Sequence, residues 1–165
     1  MSVSAEHIIV ALDRATPAEN LGLIDALDGR AVWFKVGMRL FYAGGDRVID
    51  AVRASGAKLF LDLKLHDIPA TVRGAAESLS RYEAELLTVH ASGGAAMVEA
   101  ACEGVGRQTR VLAVTALTSL DDVAVGAIGW AGTAGAVTDR LASLALAAGA
   151  HGLVCSGHEA SHLRA

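Results

Sequence analysis

Residues 58–71 read KLFLDLKLHDIPAT and place charged side chains at the end of an otherwise apolar strand. Side chains alternate between the two faces of a strand, so Asp62 and Lys64 share one face while Leu61 and Leu63 share the other. A proline then follows at a position suited to opening a helix. The stretch therefore predicts a strand-to-helix unit that carries an acid and an amine at its carboxyl end.

Five more short apolar runs lie on either side of this one, and each is rich in β-branched residues or leucine. Because the runs are nearly continuously apolar, they indicate strands covered on both faces and hence a parallel sheet. The predicted strands are Ile8–Leu12, Val32–Val36, Leu59–Leu63, Leu86–Val89, Val111–Leu117 and Gly152–Cys155.

Helical patterns fill the gaps between these strands. Thr16 and Glu19 form a capping box that begins the first helix, and Gly29 ends it. Asp46 is predicted to cap the second helix, and Pro69 to open the third. Two further helices are marked by apolar residues around Met97 and Val137.

Two segments have a weaker pattern. The glycine-rich stretch Gly126–Gly135 shows no clear periodicity, and it is predicted to be either a flexible surface loop or a loop that borders an active site. A last helix is predicted to begin at His158, with His158 and His162 as solvated surface residues.

Repeated βα units form either a doubly wound sheet or a (β/α)8 barrel. No GxGxxG follows the first strand, which disfavours a dinucleotide fold. Polar residues instead follow the carboxyl ends of several strands, as at the mouth of a barrel enzyme. The prediction is an α/β protein of the TIM-barrel class, with about six of eight βα units in one incomplete domain over residues 1–165. The polar strand-end residues are Asp13, Lys35, Asp62, Lys64, His90, Ser92, Thr115, Thr118 and Ser156.

Composition excludes several other classes of protein. The 165 residues are 53% hydrophobic and 19% charged, which disfavours disorder, and the net charge of −4 without a basic run disfavours nucleic-acid binding. No signal peptide and no apolar run of about 20 residues is present, so no membrane partner is expected. Cys102 and Cys155 lack ligand spacing and indicate reduced core residues, so we expect a cytoplasmic protein.

The charged residues of the first three strands are expected to meet at the top of the barrel. Asp13, Lys35, Asp62 and Lys64 alternate in sign, and buried charges persist only when they are paired. Each residue alone has the simpler interpretation of a helix cap or a solvated loop charge, and this applies above all to Asp67. Two carboxylates flanking Lys64 would keep its amine protonated, which suits a proton donor better than a nucleophile.

A divalent metal site is the competing chemical interpretation. Carboxylates and a histidine can bind such an ion, but the two nearby lysines would repel it. The residues available for such a site are Asp13, Asp62, Asp67 and His90.

The motif Asp62–Thr71, DLKLHDIPAT, resembles the signature of the orotidine 5'-phosphate decarboxylase family. Supporting segments follow in the family's order at Ile9–Asp13, Phe34–Gly37, Val89–Gly94 and Val114–Ser119. The DxKxxD core is shared with sibling sugar-phosphate lyases such as hexulose-phosphate synthase, whereas the HDIPxT continuation and the LTS element favour the decarboxylase.

The resemblance implies roles for particular residues. Lys64 would donate a proton to C6 of the pyrimidine after carbon dioxide leaves, with Asp62 beside the substrate carboxylate. Lys35 and Asp13 would hold the ribose hydroxyls and complete the charge network. The catalytic residues implied are Lys64, Asp62, Asp67 and Lys35. The substrate-binding residues implied are Asp13, Lys35, Asp62, Ile68, Thr71, His90, Thr118 and Ser119.

The resemblance also implies a homodimer that binds orotidine 5'-phosphate and UMP and uses neither a metal nor an organic cofactor. Asp67 and Thr71 would reach into the neighbouring subunit's site. Thr118 and Ser119 would lie near the pyrimidine.

The family pattern continues beyond Ala165, so strands 7 and 8 and a phosphate-binding arginine in a TPGIR element are expected to be missing from this sequence. Open edges at strands 1 and 6 would then favour aggregation, and turnover would be slower than in a full-length homologue. Two alternatives therefore stand beside the decarboxylase: a sibling sugar-phosphate lyase or aldolase, and a catalytically crippled fragment.

Overall fold

A computed structural model describes residues 4–164 and contains six parallel strands separated by helices. The predicted strands are confirmed in number and order. Their bounds are β1 Ile9–Ala11, β2 Trp33–Gly37, β3 Lys58–Leu65, β4 Leu86–His90, β5 Arg110–Val114 and β6 Gly152–Val154.

The strands follow one another across the sheet in the order β1-β2-β3-β4-β5-β6, and every neighbouring pair is parallel. A doubly wound sheet reverses its strand order at a switch point, whereas a barrel does not. The sheet is therefore an arc of a barrel. All carboxyl ends lie at one edge of this arc, which brings the predicted polar residues to a common rim.

Six α-helices connect these strands, with two of them between β5 and β6. Their bounds are α1 Pro17–Leu27, α2 Met38–Ala54, α3 Pro69–Leu79, α4 Ala95–Gly104, α5 Asp122–Ala127 and α6 Ala134–Ala147. Short 3-10 turns lie at Ala5–His7, Ser80–Tyr82 and Ala91–Gly93.

The capping box predicted for α1 is present. The Thr16 hydroxyl accepts the Glu19 backbone N–H at 3.2 Å, and the Glu19 carboxylate accepts the backbone N–H of Ala15 at 3.1 Å. These bonds satisfy donors that a helix start leaves free. Helix α1 ends where Asp28 and Gly29 both adopt positive φ, at 42° and 72°.

The predicted role of Asp46 as a helix cap is wrong. Helix α2 consists of two helical segments separated by non-helical backbone at Gly44, which leaves Asp46 in the first turn of the second segment rather than at its cap. Its carboxylate instead accepts hydrogen bonds from the Tyr82 hydroxyl and from Arg81. The prediction placed the break at Asp46, whereas the backbone leaves the helical conformation two residues earlier, at Gly44.

The segment after β5 differs from its prediction. The strand ends at Val114 rather than at Leu117, and the apolar residues beyond it contribute to a turn. A short helix, α5, follows and overlaps the start of the Gly126–Gly135 stretch. Asp121 caps α5 by accepting the backbone N–H of Ala124 at 2.8 Å, a local hydrogen bond that hydrophobic periodicity does not reveal.

The helix predicted from His158 is replaced by a run of turns. His158 and His162 are exposed, as predicted, and His162 Nε2 lies 3.0 Å from Asp139 Oδ1 on α6.

The core consists mainly of small and branched side chains, which let the helices pack closely on the sheet. One cluster joins β1 to β3 with α1 and α2, and a second joins β3 to β5 with α3, α4 and α6. The first cluster contains the largest fully buried side chains of the core: Phe34, Leu12, Ile49, Leu59, Leu61 and Leu87. Among residues 4–164, no helix combines the length and the apolar character that crossing a membrane requires.

Candidate active site

Four charged side chains from the ends of the first three strands form one connected group, which we call the charged cluster: Asp13, Lys35, Asp62 and Lys64. Lys35 Nζ lies 3.8 Å from Asp13 Oδ1 and 3.3 Å from Asp62 Oδ2. Lys64 Nζ lies 2.7 Å from Asp62 Oδ1. The signs therefore alternate along the chain of contacts, and the predicted meeting of these four residues is confirmed.

Asp62 is at the centre of the charged cluster because each carboxylate oxygen faces a different lysine. Its side chain is 13% exposed, whereas that of Asp13 is 66% exposed. Burial by itself raises the pKa of Asp62, but hydrogen bonds from Lys64 and Thr88 and the charges of Lys64 and Lys35 outweigh it. The pKa of Asp62 therefore lies below the ordinary aspartate value, and the carboxylate is ionised at neutral pH.

A backbone irregularity positions Lys64. Leu61 pairs with Leu87 and Leu65 pairs with Val89, so residues 62–64 of β3 lie opposite one residue of β4. Such bulges redirect side chains next to functional sites. Lys64 has a φ of 50°, in the left-handed region that a side chain with a Cβ adopts at a cost of roughly 1–3 kcal/mol.

Thr88 is the residue of β4 opposite this bulge, and the sequence analysis did not single it out. Its hydroxyl donates to Asp62 Oδ1 at 3.0 Å and accepts the backbone N–H of Lys64 at 2.9 Å. Thr88 is fully buried. A lone hydroxyl inside an apolar strand was the available signal, because a buried polar group almost always has a hydrogen-bond partner.

His90 ends β4 close to the charged cluster. Its ring lies 5.2 Å from that of His66, measured between centroids. Burial is the largest cause that lowers the pKa of His90, and the nearby charges of His66 and Lys64 lower it further, against the opposing effect of Asp62. The imidazole is therefore neutral at neutral pH and can offer a substrate one donor and one acceptor.

The predicted site residues that follow β3 lie outside the charged cluster. Asp67, Ile68 and Thr71 are exposed at the junction of β3 and α3. Asp67 Oδ1 accepts the backbone N–H of Ile68 at 2.6 Å, and the amine of Lys64 pairs with Asp62 and not with Asp67 within this chain. The prediction of two carboxylates on Lys64 is thus wrong within one chain, because Asp67 turns outward beyond the strand.

The loops after β5 and β6 are separate from the charged cluster. Thr118 and Ser119 are exposed in the turn after β5, and neither is hydrogen-bonded to the charged cluster in the part of the chain that the structure describes. Ser156 donates to the Glu159 carboxylate at 2.7 Å, and Thr115 donates to the Val154 carbonyl at 3.1 Å. These last two hydroxyls therefore bind neighbouring protein groups.

The alternative prediction of a divalent metal site lacks a preformed set of ligands in the described residues. Within residues 4–164, no three His, Cys, Asp or Glu side chains are grouped so that they could hold an ion together. Asp62 faces two ammonium groups, which occupy the positions that a cation would need.

The amino-acid sequence matches the model of a known protein family. The family model described as "Orotidine 5'-phosphate decarboxylase / HUMPS family" matches residues 6–165 of the sequence. The chain belongs to this family. The resemblance inferred from the DLKLHDIPAT motif is therefore confirmed.

Individual members of the orotidine 5'-phosphate decarboxylase / HUMPS family show the same likeness. The orotidine 5'-phosphate decarboxylase of Anaeromyxobacter sp. (strain K) is 51% identical over 161 residues, covering 98% of this chain and 71% of that protein. The orotidine 5'-phosphate decarboxylase of Cutibacterium acnes is 46% identical over 159 residues, covering 94% of this chain and 67% of that protein.

A solved structure confirms the fold of the orotidine 5'-phosphate decarboxylase / HUMPS family in this chain. The crystal structure of orotidine 5'-phosphate decarboxylase from Lactobacillus acidophilus has a TM-score of 0.86 at 37% identity, covering 95% of this chain and 74% of that one. The predicted barrel class is therefore confirmed, and residues 4–164 contain six strands of the barrel.

Proposed function

We propose that the protein decarboxylates orotidine 5'-phosphate to UMP and carbon dioxide, the last step of pyrimidine nucleotide synthesis. The observation that carries the proposal is the pairing of Lys64 with Asp62 at 2.7 Å, inside a chain that belongs to this family. A protonated amine held at one position by an ionised carboxylate is a proton donor set beside a fixed negative charge.

Lys64 is the proposed proton donor. As carbon dioxide leaves, the bond from C6 of the pyrimidine to the carboxylate breaks and its electron pair stays on C6. The Lys64 ammonium stabilises this charge and transfers a proton from Nζ to C6, and the neutral amine then regains a proton from solvent. Lys64 suits this role because the bulge and the Asp62 carboxylate both restrict its position.

Asp62 is proposed to lie beside the substrate carboxylate. Two negative groups repel one another in the bound substrate, and this repulsion disappears when neutral carbon dioxide forms. Binding energy from remote parts of the substrate, chiefly the 5'-phosphate and the ribose, must offset the repulsion. In the proposal Lys35 and Asp13 bind the ribose, while His90, Thr118 and Ser119 lie around the pyrimidine.

The proposal includes a homodimer that needs neither a metal nor an organic cofactor. Asp67, Ile68 and Thr71 then reach the neighbouring site, which fits their exposure at the junction of β3 and α3. The proposal also includes a single domain over residues 1–165 and a cytoplasmic location. Cys102 and Cys155 are free thiols, as a reducing compartment requires.

The first experiment tests the reaction itself. We expect the purified protein, incubated at high concentration with orotidine 5'-phosphate, to form UMP with loss of the substrate's absorbance. The Lys64→Ala variant is the reference. Equal UMP from both proteins would contradict the proposal, and conversion of a sugar phosphate instead would favour the sibling lyase.

A second experiment tests the shared site. If Asp67 completes the neighbour's site, then coexpressing Lys64→Ala and Asp67→Ala chains creates mixed dimers with one intact site. Random pairing makes half of the dimers mixed, so about a quarter of wild-type activity should return. If Asp67 acts in its own chain's site, the mixture stays as inactive as either variant alone, and a monomer in ultracentrifugation would exclude the shared site.

A further inference from the structure

Thr88 occupies the only position of β4 that faces the three-residue segment 62–64 of β3. In a regular parallel ladder the Lys64 N–H would bond to a backbone carbonyl of the neighbouring strand. Here it bonds to the Thr88 hydroxyl at 2.9 Å instead. The side chain of one residue thus replaces the ladder bond at the point where the backbone of β3 becomes left-handed.

The same hydroxyl also binds the carboxylate. Its hydrogen is directed to Asp62 Oδ1 at 3.0 Å, the oxygen that also accepts from Lys64 Nζ at 2.7 Å. Backbone N–H, threonine hydroxyl, carboxylate oxygen and lysine amine therefore form one closed ring of contacts. Because Thr88 is fully buried, solvent water does not reach its hydroxyl.

We propose that Thr88 is a positioning residue that fixes the Lys64 amine relative to the Asp62 carboxylate. It does so by binding the backbone N–H of Lys64 and the Oδ1 atom of Asp62 with the same hydroxyl. The role deepens the proposed function and rests on it for its kinetic consequence. Thr88 touches no reacting atom and acts through its two partners.

The test compares Thr88→Val, which keeps the shape of the side chain and removes the hydroxyl, with Thr88→Ser, which keeps the hydroxyl. We expect Thr88→Val to lower kcat about tenfold or more with a smaller change in KM, because a buried donor and a buried acceptor each lose a partner. Thr88→Ser should restore most of kcat. The matched control is Thr109→Val, which removes a buried hydroxyl that bonds only to the Ala84 carbonyl at 2.6 Å.

A second readout does not depend on catalysis. The carboxyl carbon of Asp62, followed by NMR during acid titration, should titrate at higher pH in Thr88→Val than in wild type and unchanged in Thr109→Val. If Thr88→Val fails to fold, Thr88→Ala and Thr88→Ser give the same comparison. If Asp62 titrates identically in Thr88→Val and in wild type, the role of Thr88 is overturned. If Thr88→Val shifts the titration but the wild-type protein makes no UMP, only the decarboxylase proposal is overturned.

Discussion

Replacing Lys64 with alanine is expected to reduce UMP formation about 10⁴-fold, the largest loss of any single substitution in this chain. The estimate combines the loss of the proposed proton donor with the loss of a cation proposed to stabilise the developing carbanion. Rates are measured as UMP formed from orotidine 5'-phosphate under saturating substrate. Because Lys64 also pairs with Asp62, its removal leaves Lys35 as the remaining cation on that carboxylate.

Lys58→Ala is the matched control for this substitution. Lys58 lies on the same strand, at the opposite end of the sheet, where its amine pairs with Glu6 at 3.3 Å and lies over the Trp33 ring. It is the same residue type, and its side chain is 42% exposed against 27% for Lys64, but it is remote from the charged cluster. We expect its activity to stay within about twofold of wild type. A comparable loss in both variants would mean that Lys64 acts through folding.

Much of this site could be predicted from the sequence because parallel strands place their carboxyl ends together. Asp13, Lys35 and Asp62 were each identified as the polar residue at the end of an apolar run, and β1, β2 and β3 bring them within contact distance. The strand order follows from the same regular repetition of βα units. Strand periodicity and topology were therefore sufficient for the cluster and for the barrel.

The bulge could not be predicted because it breaks the periodicity on which the strand prediction depends. Simple alternation assigns Lys64 to the face of Asp62, but the left-handed φ at Lys64 and the partner Thr88 emerge only when β4 pairs with β3. The cap at Asp46 was predicted wrongly and helix α5 was not predicted, for a related reason. Each depends on a local kink or cap that apolar spacing does not encode.

Replacing Asp62 with asparagine is expected to reduce UMP formation about 10³-fold or more. The carboxylate offers one acceptor oxygen to Lys35 and another to Lys64, at 3.3 Å and 2.7 Å. An amide has one oxygen and one NH₂ group, so in either orientation a donor faces an ammonium. The two lysines also lose the negative charge between them, and Lys64 is no longer held in place. Asp139→Asn on the outer helix α6, which alters an exposed pair with His162, is the control and should retain full activity.

The same variant should change how stability depends on pH, which separates loss of charge from loss of shape. The pKa of Asp62 in the folded protein lies below its ordinary value of 3.8, so the unfolded chain binds this proton first as the pH falls. The contribution of the ionised carboxylate to stability is therefore complete above about pH 5 and is lost as the pH falls through the folded pKa. Urea unfolding of wild type should show a free energy that declines more steeply from about pH 5 to about pH 2 than that of Asp62→Asn, which has no proton to bind there. Equal slopes in the two proteins would mean that Asp62 is not the ionised centre of the charged cluster, and the loss of activity would then have to be explained by altered packing alone.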